Sequence, residues 1–321
     1  MQILHYVGDR VSELPPEALA DVLARQEGAL WVDMTGPTAE DQRVLAEVFK
    51  FHPLAIEDTL KQAQRPKLEE YDGYFFMSLH AVAPPGQRGI SVTLQEIDLF
   101  GASRYVVTVH PHPVPALEEA RARLGKAAGS QRAYADHILY TIVDSAVDTY
   151  FPIIDRLDAS LDRLEDHLFR RPTPRALEQL LHIKRALLHL RRVGTPLRDM
   201  FNVLTRHDSG LIRPQTLVYY RDVYDHLLRI TDLIDTHRDL LTGAMEIYLT
   251  VISNRLNEVM KVLTVITALL GVGAVITGFF GMNFERTWPP FAWRYGVLVV
   301  LLAILASWVA ALAVFRRLRW L

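Results

Sequence analysis

Residues 262–280 read VLTVITALLGVGAVITGFF, and residues 295–315 read YGVLVVLLAILASWVAALAVF. Neither run holds a charged side chain, and at 19 and 21 residues each approaches or exceeds the ~20 that a helix needs to cross a bilayer. Two buried core helices would satisfy the same pattern, but two such runs side by side leave little chain to cover them. The flanks set an orientation. Arg255 and Lys261 precede the first run, and Arg316, Arg317 and Arg319 follow the second. The intervening loop holds only Arg286 and Arg294 against Glu285. The excess of basic residues at the outer flanks of the pair predicts both termini in the cytoplasm. Trp288, Trp293, Tyr295 and Trp320 stand where an interfacial aromatic belt would lie.

Outward from these runs the composition divides. The chain has 321 residues, 50% hydrophobic and 22% charged, with mean hydropathy +0.10 and no cysteine. Disulfides, thiolate metal sites and cysteine nucleophiles are thereby excluded. From residue 251 onward seven Lys/Arg face two acids, so of the total charge of −2 the first 250 residues hold −7. That balance, with a pI near 6.6, argues against a nucleic-acid partner. The N-terminal MQILHYVGDR lacks the apolar core of a secretory signal.

Residues 1–130 read as an α/β domain. Strands are expected at Gln2–Val7, Ala29–Met34, Tyr74–Ala83, Thr93–Phe100 and Arg104–His110. Helices are expected over Thr38–Phe51, with Thr38 as N-cap, and over Leu54–Gln62 after a break at His52-Pro53. Pro84-Pro85-Gly86 marks a turn. Residues 131–213 carry long helical patterns, Tyr134–Phe169 and Ala176–Arg206, the latter ended by Asp208-Ser209-Gly210. From Pro214 to Leu270 there is no further proline and Gly243 is the one glycine, which allows ~85 Å of helix at 1.5 Å per residue. The expected organisation is therefore a cytoplasmic α+β domain (1–130, then 131–213), a stalk continuing into the first span (214–280), a loop (281–294), a second span (295–315) and a basic cytoplasmic tail (316–321).

The stalk carries a stripe. Asp225, Asp232, Asp239 and Glu246 fall seven apart, and the line continues through Ser253, Met260, Thr267, Ala274 and Gly281. A parallel line runs Gly243, Thr250, Asn257, Thr264, Gly271 and Gly278. A seven-residue line stays on one face only where helices supercoil, because a straight helix drifts ~20° per heptad. Acids on a solvated face and small residues at a helix contact account for the two halves separately. Together they describe helices packed around a narrow lumen with acids at its cytoplasmic end, which favours cations. Two thin helices cannot enclose water, so such a lumen needs several chains in closed symmetry.

The first span ends Thr277-Gly278-Phe279-Phe280-Gly281-Met282-Asn283-Phe284-Glu285. Gly281-Met282-Asn283 after an uncharged span, before a short loop and a second span, resembles the CorA family of divalent-cation channels. Further likeness lies in His52-Pro53-Leu54 with Glu57-Asp58, Gln64-Arg65-Pro66-Lys67, the run from Tyr220 to His226, and Asn257 to Thr264. The resemblance implies a homopentamer in the cell (inner) membrane that takes up Mg²⁺, and as further ions Co²⁺ or Ni²⁺, with no enzyme activity. It implies that Asn283 forms an amide ring at the outer mouth within Gly281-Met282-Asn283, with Glu285 in the outer loop. It also implies that Asn257, Met260, Leu263 and Thr264 line the inner half and Glu246 the cytoplasmic mouth. Neutral amide oxygens suit Mg²⁺, which sheds its water reluctantly.

The resemblance also implies Mg²⁺ sites between subunits that hold the pore shut: Asp58 facing Asp222 of a neighbour, with Glu57 and Asp144 as a second cluster. The plain reading of Glu57 and Asp58 is a helix start, where the dipole favours acids. The chain departs from the family pattern in its outer loop, where Arg286-Thr287-Trp288-Pro289-Pro290 replaces the frequent Met-Pro-Glu-Leu, and at Phe280 in place of tyrosine. Gly271 and Ala274 are smaller than their usual counterparts. Alternatives are a zinc transporter of the related ZntB type, which usually has isoleucine where this chain has Met282, and a membrane-anchored metal sensor without conduction. His182 and His189, seven apart, read as a surface feature, and no metallohydrolase spacing such as H-E-x-x-H occurs.

Overall fold

The computed structural model describes residues 1–8, 10–25, 27–61, 65–84, 86, 92–126, 134–170, 173–206, 212–282, 288–290 and 293–320. Pro85 of the expected turn, the helix stop at 208–210, and both Asn283 and Glu285 lie outside the described residues. The chain divides into two compact units, Met1–Met245 and Glu246–Leu321.

The first unit is built on a seven-stranded sheet. Its strands are β1 (Gln2–Val7), β2 (Arg10–Leu14), β3 (Ala29–Thr35), β4 (Lys67–Tyr71), β5 (Tyr74–Val82), β6 (Leu94–Ala102) and β7 (Tyr105–His110), in the order β2-β1-β3-β7-β6-β5-β4. Every neighbouring pair is antiparallel except β3 and β7. β5 reads YFFMSLHAV and is buried at every position. A strand covered on both faces needs no alternation of polar and apolar residues. One face packs into an aromatic and aliphatic core that includes Leu45, Phe51, Phe76 and Phe100, with the Phe51 and Phe100 rings stacked at 4.0 Å. The other is covered by α5 (Ala135–Asp148), whose Ile138, Leu139, Ile142, Val143 and Ala146 are buried.

Short helices decorate the sheet: α1 (Leu19–Arg25), α2 (Ala39–Arg43) running into a π-helical turn at Val44–Val48, α3 (Pro53–Leu60) and α4 (Pro115–Lys126). Thr38 caps α2 with a reciprocal box. Its Oγ1 accepts from the Asp41 amide at 3.2 Å while Asp41 Oδ2 accepts from the Thr38 amide at 2.8 Å. α3 begins with Pro53 in its first turn, and His52 Nδ1 accepts from the Leu54 amide at 3.2 Å. His52-Pro53-Leu54 is thus a helix-starting device, with the His52 amide donating to the Tyr74 hydroxyl at 2.8 Å.

Long helices follow: α6 (Tyr150–Arg170), α7 (Pro174–Leu204), α8 (Pro214–Gly281) and α9 (Gly296–Arg317). The expected single helix from Tyr134 to Phe169 is two, α5 and α6. The break is at Thr149, whose Oγ1 accepts from the Val82 amide at 2.8 Å and donates to the Ala146 carbonyl at 2.6 Å. Pro152 follows in the first turn of α6, where its missing N–H is tolerated. Asp136, at the start of α5, holds Arg213 just ahead of α8 through paired bonds of 2.8 Å from Nε and Nη2.

In the second unit the distal part of α8 packs against α9. A Cβ at Gly273 would meet the Trp308 indole at 3.6 Å, and Trp308 Nε1 donates to the Leu269 carbonyl at 2.8 Å. Only 11% and 6% of the apolar windows of α8 and α9 are buried within the chain. A soluble core helix would bury most of such a window, so these surfaces need lipid or further chains to cover them.

Candidate ion path and acidic clusters

α9 covers one side of α8, and the stripe lies on the other. At about 100° per residue, Asn257, Met260, Thr264, Gly271 and Gly278 lie roughly 140–200° around the helix from Gly273. A Cβ built at Gly271, Gly278 or Gly281 meets nothing within 4 Å among the described residues. Met260 and Leu263 are 56% and 54% exposed, but Leu263 lies about 80° from Gly273, outside the stripe and between it and the α9 side. The hydroxyls on the helix are satisfied locally. Thr264 Oγ1 donates to the Met260 carbonyl at 2.8 Å, and Thr277 Oγ1 to the Gly273 carbonyl at 2.9 Å. That is how a polar residue is carried through an apolar segment without an orphaned group. Glu246, where the second unit begins, accepts from Thr250 through its carbonyl at 2.9 Å. Gly281 is the last residue of α8, and the Met282 amide closes onto the Phe279 carbonyl at 3.3 Å.

In the first unit the expected acids fall into two groups. Glu57 and Asp58 do not occupy a helix start. They sit in the second half of α3, which has no acid in its first turn. There the dipole opposes a carboxylate, and nearby lysines offset it: Lys61 pairs with Glu57, and Lys67 with Asp58 at 2.5 Å and with Glu69 at 2.9 Å. These acids offset the desolvation that would lower the Lys67 ammonium, and leave it above its ordinary range.

Asp144 and Asp222 stand elsewhere, around His226. One ligand atom each from Asp144, Asp148 and His226 lies within 4.8 Å of the others. Asp148 Oδ1 is 3.8 Å from His226 Nδ1, and Asp222 Oδ2 is 3.9 Å from His226 Nε2. Arg123 reaches in from α4, donating to Asp144 Oδ2 at 2.6 Å and Ser145 Oγ at 3.1 Å. Burial, then the Asp144 carboxylate, pushes the Asp148 carboxyl up. Carboxyl oxygens with one imidazole form a donor set for a divalent cation of hard to borderline character. Asp148 was not expected from the sequence, nor was His226 expected as a donor. The available signal was the spacing: Asp144 and Asp148 on α5, and Asp222 and His226 on α8, are both i,i+4 pairs that share a helix face.

A family model described as CorA-like Mg²⁺ transporter protein matches residues 26–317. The chain is 32% identical over 326 residues to the cobalt/magnesium transport protein CorA of Thermotoga maritima, covering 100% of this chain and 92% of that one. It is 34% identical over 271 residues to the putative metal ion transporter YfjQ of Bacillus subtilis, covering 84% and 83%. The complete structure of the CorA magnesium transporter from Methanocaldococcus jannaschii superposes with a TM-score of 0.86 at 22% identity, over 100% of this chain and 99% of that one.

Proposed function

The chain belongs to the CorA-like Mg²⁺ transporter family, and on that premise we propose that it is a homopentameric channel for divalent cations in the inner membrane, with both termini cytoplasmic. It admits Mg²⁺, and Co²⁺ or Ni²⁺, down the electrochemical gradient. One observation carries this reading: α9 occupies one side of α8, while the polar and small stripe through Asn257, Thr264, Gly271 and Gly278 is left bare on the opposite side. A pair of anchoring helices would need no such face. In a closed ring of copies, that face surrounds the axis.

The mechanism then requires no covalent chemistry. A membrane potential of about 100 mV, negative inside, contributes ~4.6 kcal/mol for a doubly charged ion. Asn283 meets the hydrated ion at the outer mouth with neutral oxygens, which accept hydrogen bonds from its water shell without holding it as a carboxylate would. Asn257 and Thr264 continue the polar contact inward, Met260 and Leu263 narrow the passage, and the Glu246 ring sets cation preference at the cytoplasmic end.

Control comes from cytoplasmic metal. Asp144, Asp148 and His226, with Asp222 beside them, bind a divalent ion when its concentration is high, and Glu57 and Asp58 of a neighbouring copy complete or adjoin that shell. Binding relieves the mutual repulsion of the carboxylates and displaces Arg123 from Asp144. The bound form favours the shut ring, and loss of metal releases it, a shift set by differential affinity for the two states.

His226 adds a borderline nitrogen donor, which favours Co²⁺ or Zn²⁺ over Mg²⁺ at that cluster. The zinc-transport reading is therefore tested in the same experiment. Purified protein in liposomes should pass Mg²⁺ under an inward gradient, with Co²⁺ competing and Asn283→Ala abolishing flux while the oligomer persists. Zn²⁺ flux without Mg²⁺ flux would replace the assignment with the zinc type. Metal binding without any flux would make the protein a sensor.

A further inference from the structure

The first unit holds a cavity of about 460 Å³ bounded by β5, the start of β6, the segment after β7, and α7. None of the residues assigned above to the ion path or to regulation lines it, and its charge has the opposite sign. Arg65, His112, His189 and Arg192 face it, with Glu96 as the one carboxylate among the lining residues described. His189, one member of the histidine pair noted in the sequence, thereby gains a setting.

The inner wall is unsatisfied. His80 lies on β5 and is 6% exposed, and its Nδ1 has no hydrogen-bond partner among the described residues. Gln95 donates from Nε2 to the Pro113 carbonyl at 3.1 Å, which fixes the amide and leaves its buried Oε1 without a donor among the described residues. Buried polar groups are nearly always paired, so each orphan points to a partner that completes it. Burial pushes the His80 imidazole down to about 4, so the ring is neutral at cytoplasmic pH and offers one donor and one acceptor. Leu94, Pro111, Val114 and Val193 supply apolar wall. The volume falls within the range of small-molecule sites.

This asymmetry selects a ligand class. Two guanidinium groups suit a phosphate, which they can grip bidentately. An orphaned amide oxygen instead calls for an N–H or O–H donor, which a fully ionised phosphate lacks. The imidazoles do not make a metal set: among the described residues the one group of ligand atoms within mutual reach of an ion is Asp144, Asp148 and His226. We propose that this cavity binds a phosphorylated small molecule of about nucleotide size, its phosphate held by Arg65 and Arg192 and an N–H or O–H of its other end held by Gln95 Oε1. The proposal does not depend on the transport reading.

Calorimetric titration of the detergent-purified full chain tests it, in EDTA because phosphates themselves chelate Mg²⁺. The probes are ATP, AMP, glucose 6-phosphate and inorganic phosphate. At least one organic phosphate should bind with a dissociation constant below about 1 mM. Arg65→Ala combined with Arg192→Ala should weaken it at least about tenfold, with Arg192→Lys recovering part of the loss. Gln95→Leu should weaken the organic phosphate and leave inorganic phosphate unchanged. Thermal midpoints equal to wild type confirm that the variants fold. The proposal fails if no organic phosphate binds at that level, if inorganic phosphate binds as tightly as the organic ones, or if binding survives loss of both arginines.

Discussion

At the scale of single residues, the buried polar groups of the central strands give the molecule a pH signature. Asp98 on β6 is 4% exposed and stands opposite Ser78 in the register. Burial raises its carboxyl to about 7, and the Glu96 and Asp58 carboxylates add to the rise. The native chain therefore keeps this proton where the unfolded chain has lost it, and Asp98 removes stability as pH climbs from about 4 to about 7. His80 acts with the other sign. Its folded value of about 4 lies below the ordinary 6.5, so its contribution is lost as pH falls through that window. The two partly cancel between pH 4 and 6.5. Asp98→Asn should unmask a thermal midpoint that rises with pH across that window and levels above it, and should stabilise the protein at pH 8 by a few kcal/mol (about 1.4 per pKa unit). A midpoint at pH 8 no higher than wild type would mean that Asp98 is ionised at no expense. In the acidic cluster, Asp148→Asn removes a carboxylate raised by burial and by Asp144. It should raise the midpoint in EDTA and reduce the further rise produced by added Co²⁺; an unchanged Co²⁺ response would remove Asp148 from the ligand set.

At the scale of elements, ion pairs fix where the long helices begin. Asp136 is 5% exposed at its side chain and takes three bonds from Arg213, two from the guanidinium and one from the backbone amide at 3.1 Å. Burial alone would raise the carboxyl, but these bonds bring it below its ordinary range. Its stabilising effect is present above the usual carboxylate pKa and is lost as pH falls through the lower folded value. Arg213→Ala leaves a buried acceptor short of donors and should cost about 1–3 kcal/mol at pH 7, with the deficit shrinking at pH 3 in a melting series; a deficit constant with pH would assign it to lost packing against Tyr134. The elements also explain which parts were legible. β5 and β7 announce themselves because burial makes their residues largely apolar, and both apolar helices because they run uncharged for the length of a bilayer crossing. β2 (RVSEL) and β4 (KLEEY) do not, since both are edge strands at the limits of the sheet, and edges are kept charged to discourage pairing with other chains. α1, at seven residues, carries too few turns for periodicity to stand out, whereas α4 does carry a helical spacing in its buried Ala116, Leu117, Ala120 and Leu124 that went unread. The stripe on α8 was readable because one helix carries all of it. The Asp144–Asp148–His226 cluster was not, because a cluster shared by two helices far apart in the chain has no linear signature beyond two i,i+4 pairs.

At the scale of the whole molecule, the topology proposed above turns the basic flanks of the two spans, and the large unit with them, toward the cytoplasm. In intact cells both termini should then resist external protease, and cleavage at either would reverse the topology. Whether the bare face of α8 surrounds a common axis is the deeper question, and two glycines two residues apart answer it. Gly273 faces α9, where an added Cβ already meets Trp308 at 3.6 Å; Gly271 faces open space within its own chain. A leucine at Gly273 therefore overpacks a contact inside one subunit, at about 1–3 kcal/mol, and should lower the thermal midpoint. A Cβ at Gly271 meets nothing within 4 Å among the described residues of its own subunit, so a leucine there should act chiefly through neighbouring copies. If five such faces line a narrow passage, Gly271→Leu places five extra side chains in it. Mg²⁺ flux into liposomes should fall at least about tenfold while native mass spectrometry still reports the pentamer, by the same logic that makes hydrophobic constrictions block ions. Gly271→Ala should fall between that variant and wild type, since its added volume is a single methyl group. Undiminished flux in Gly271→Leu would turn this face toward lipid, and the ion path would have to be sought on another side of the helix.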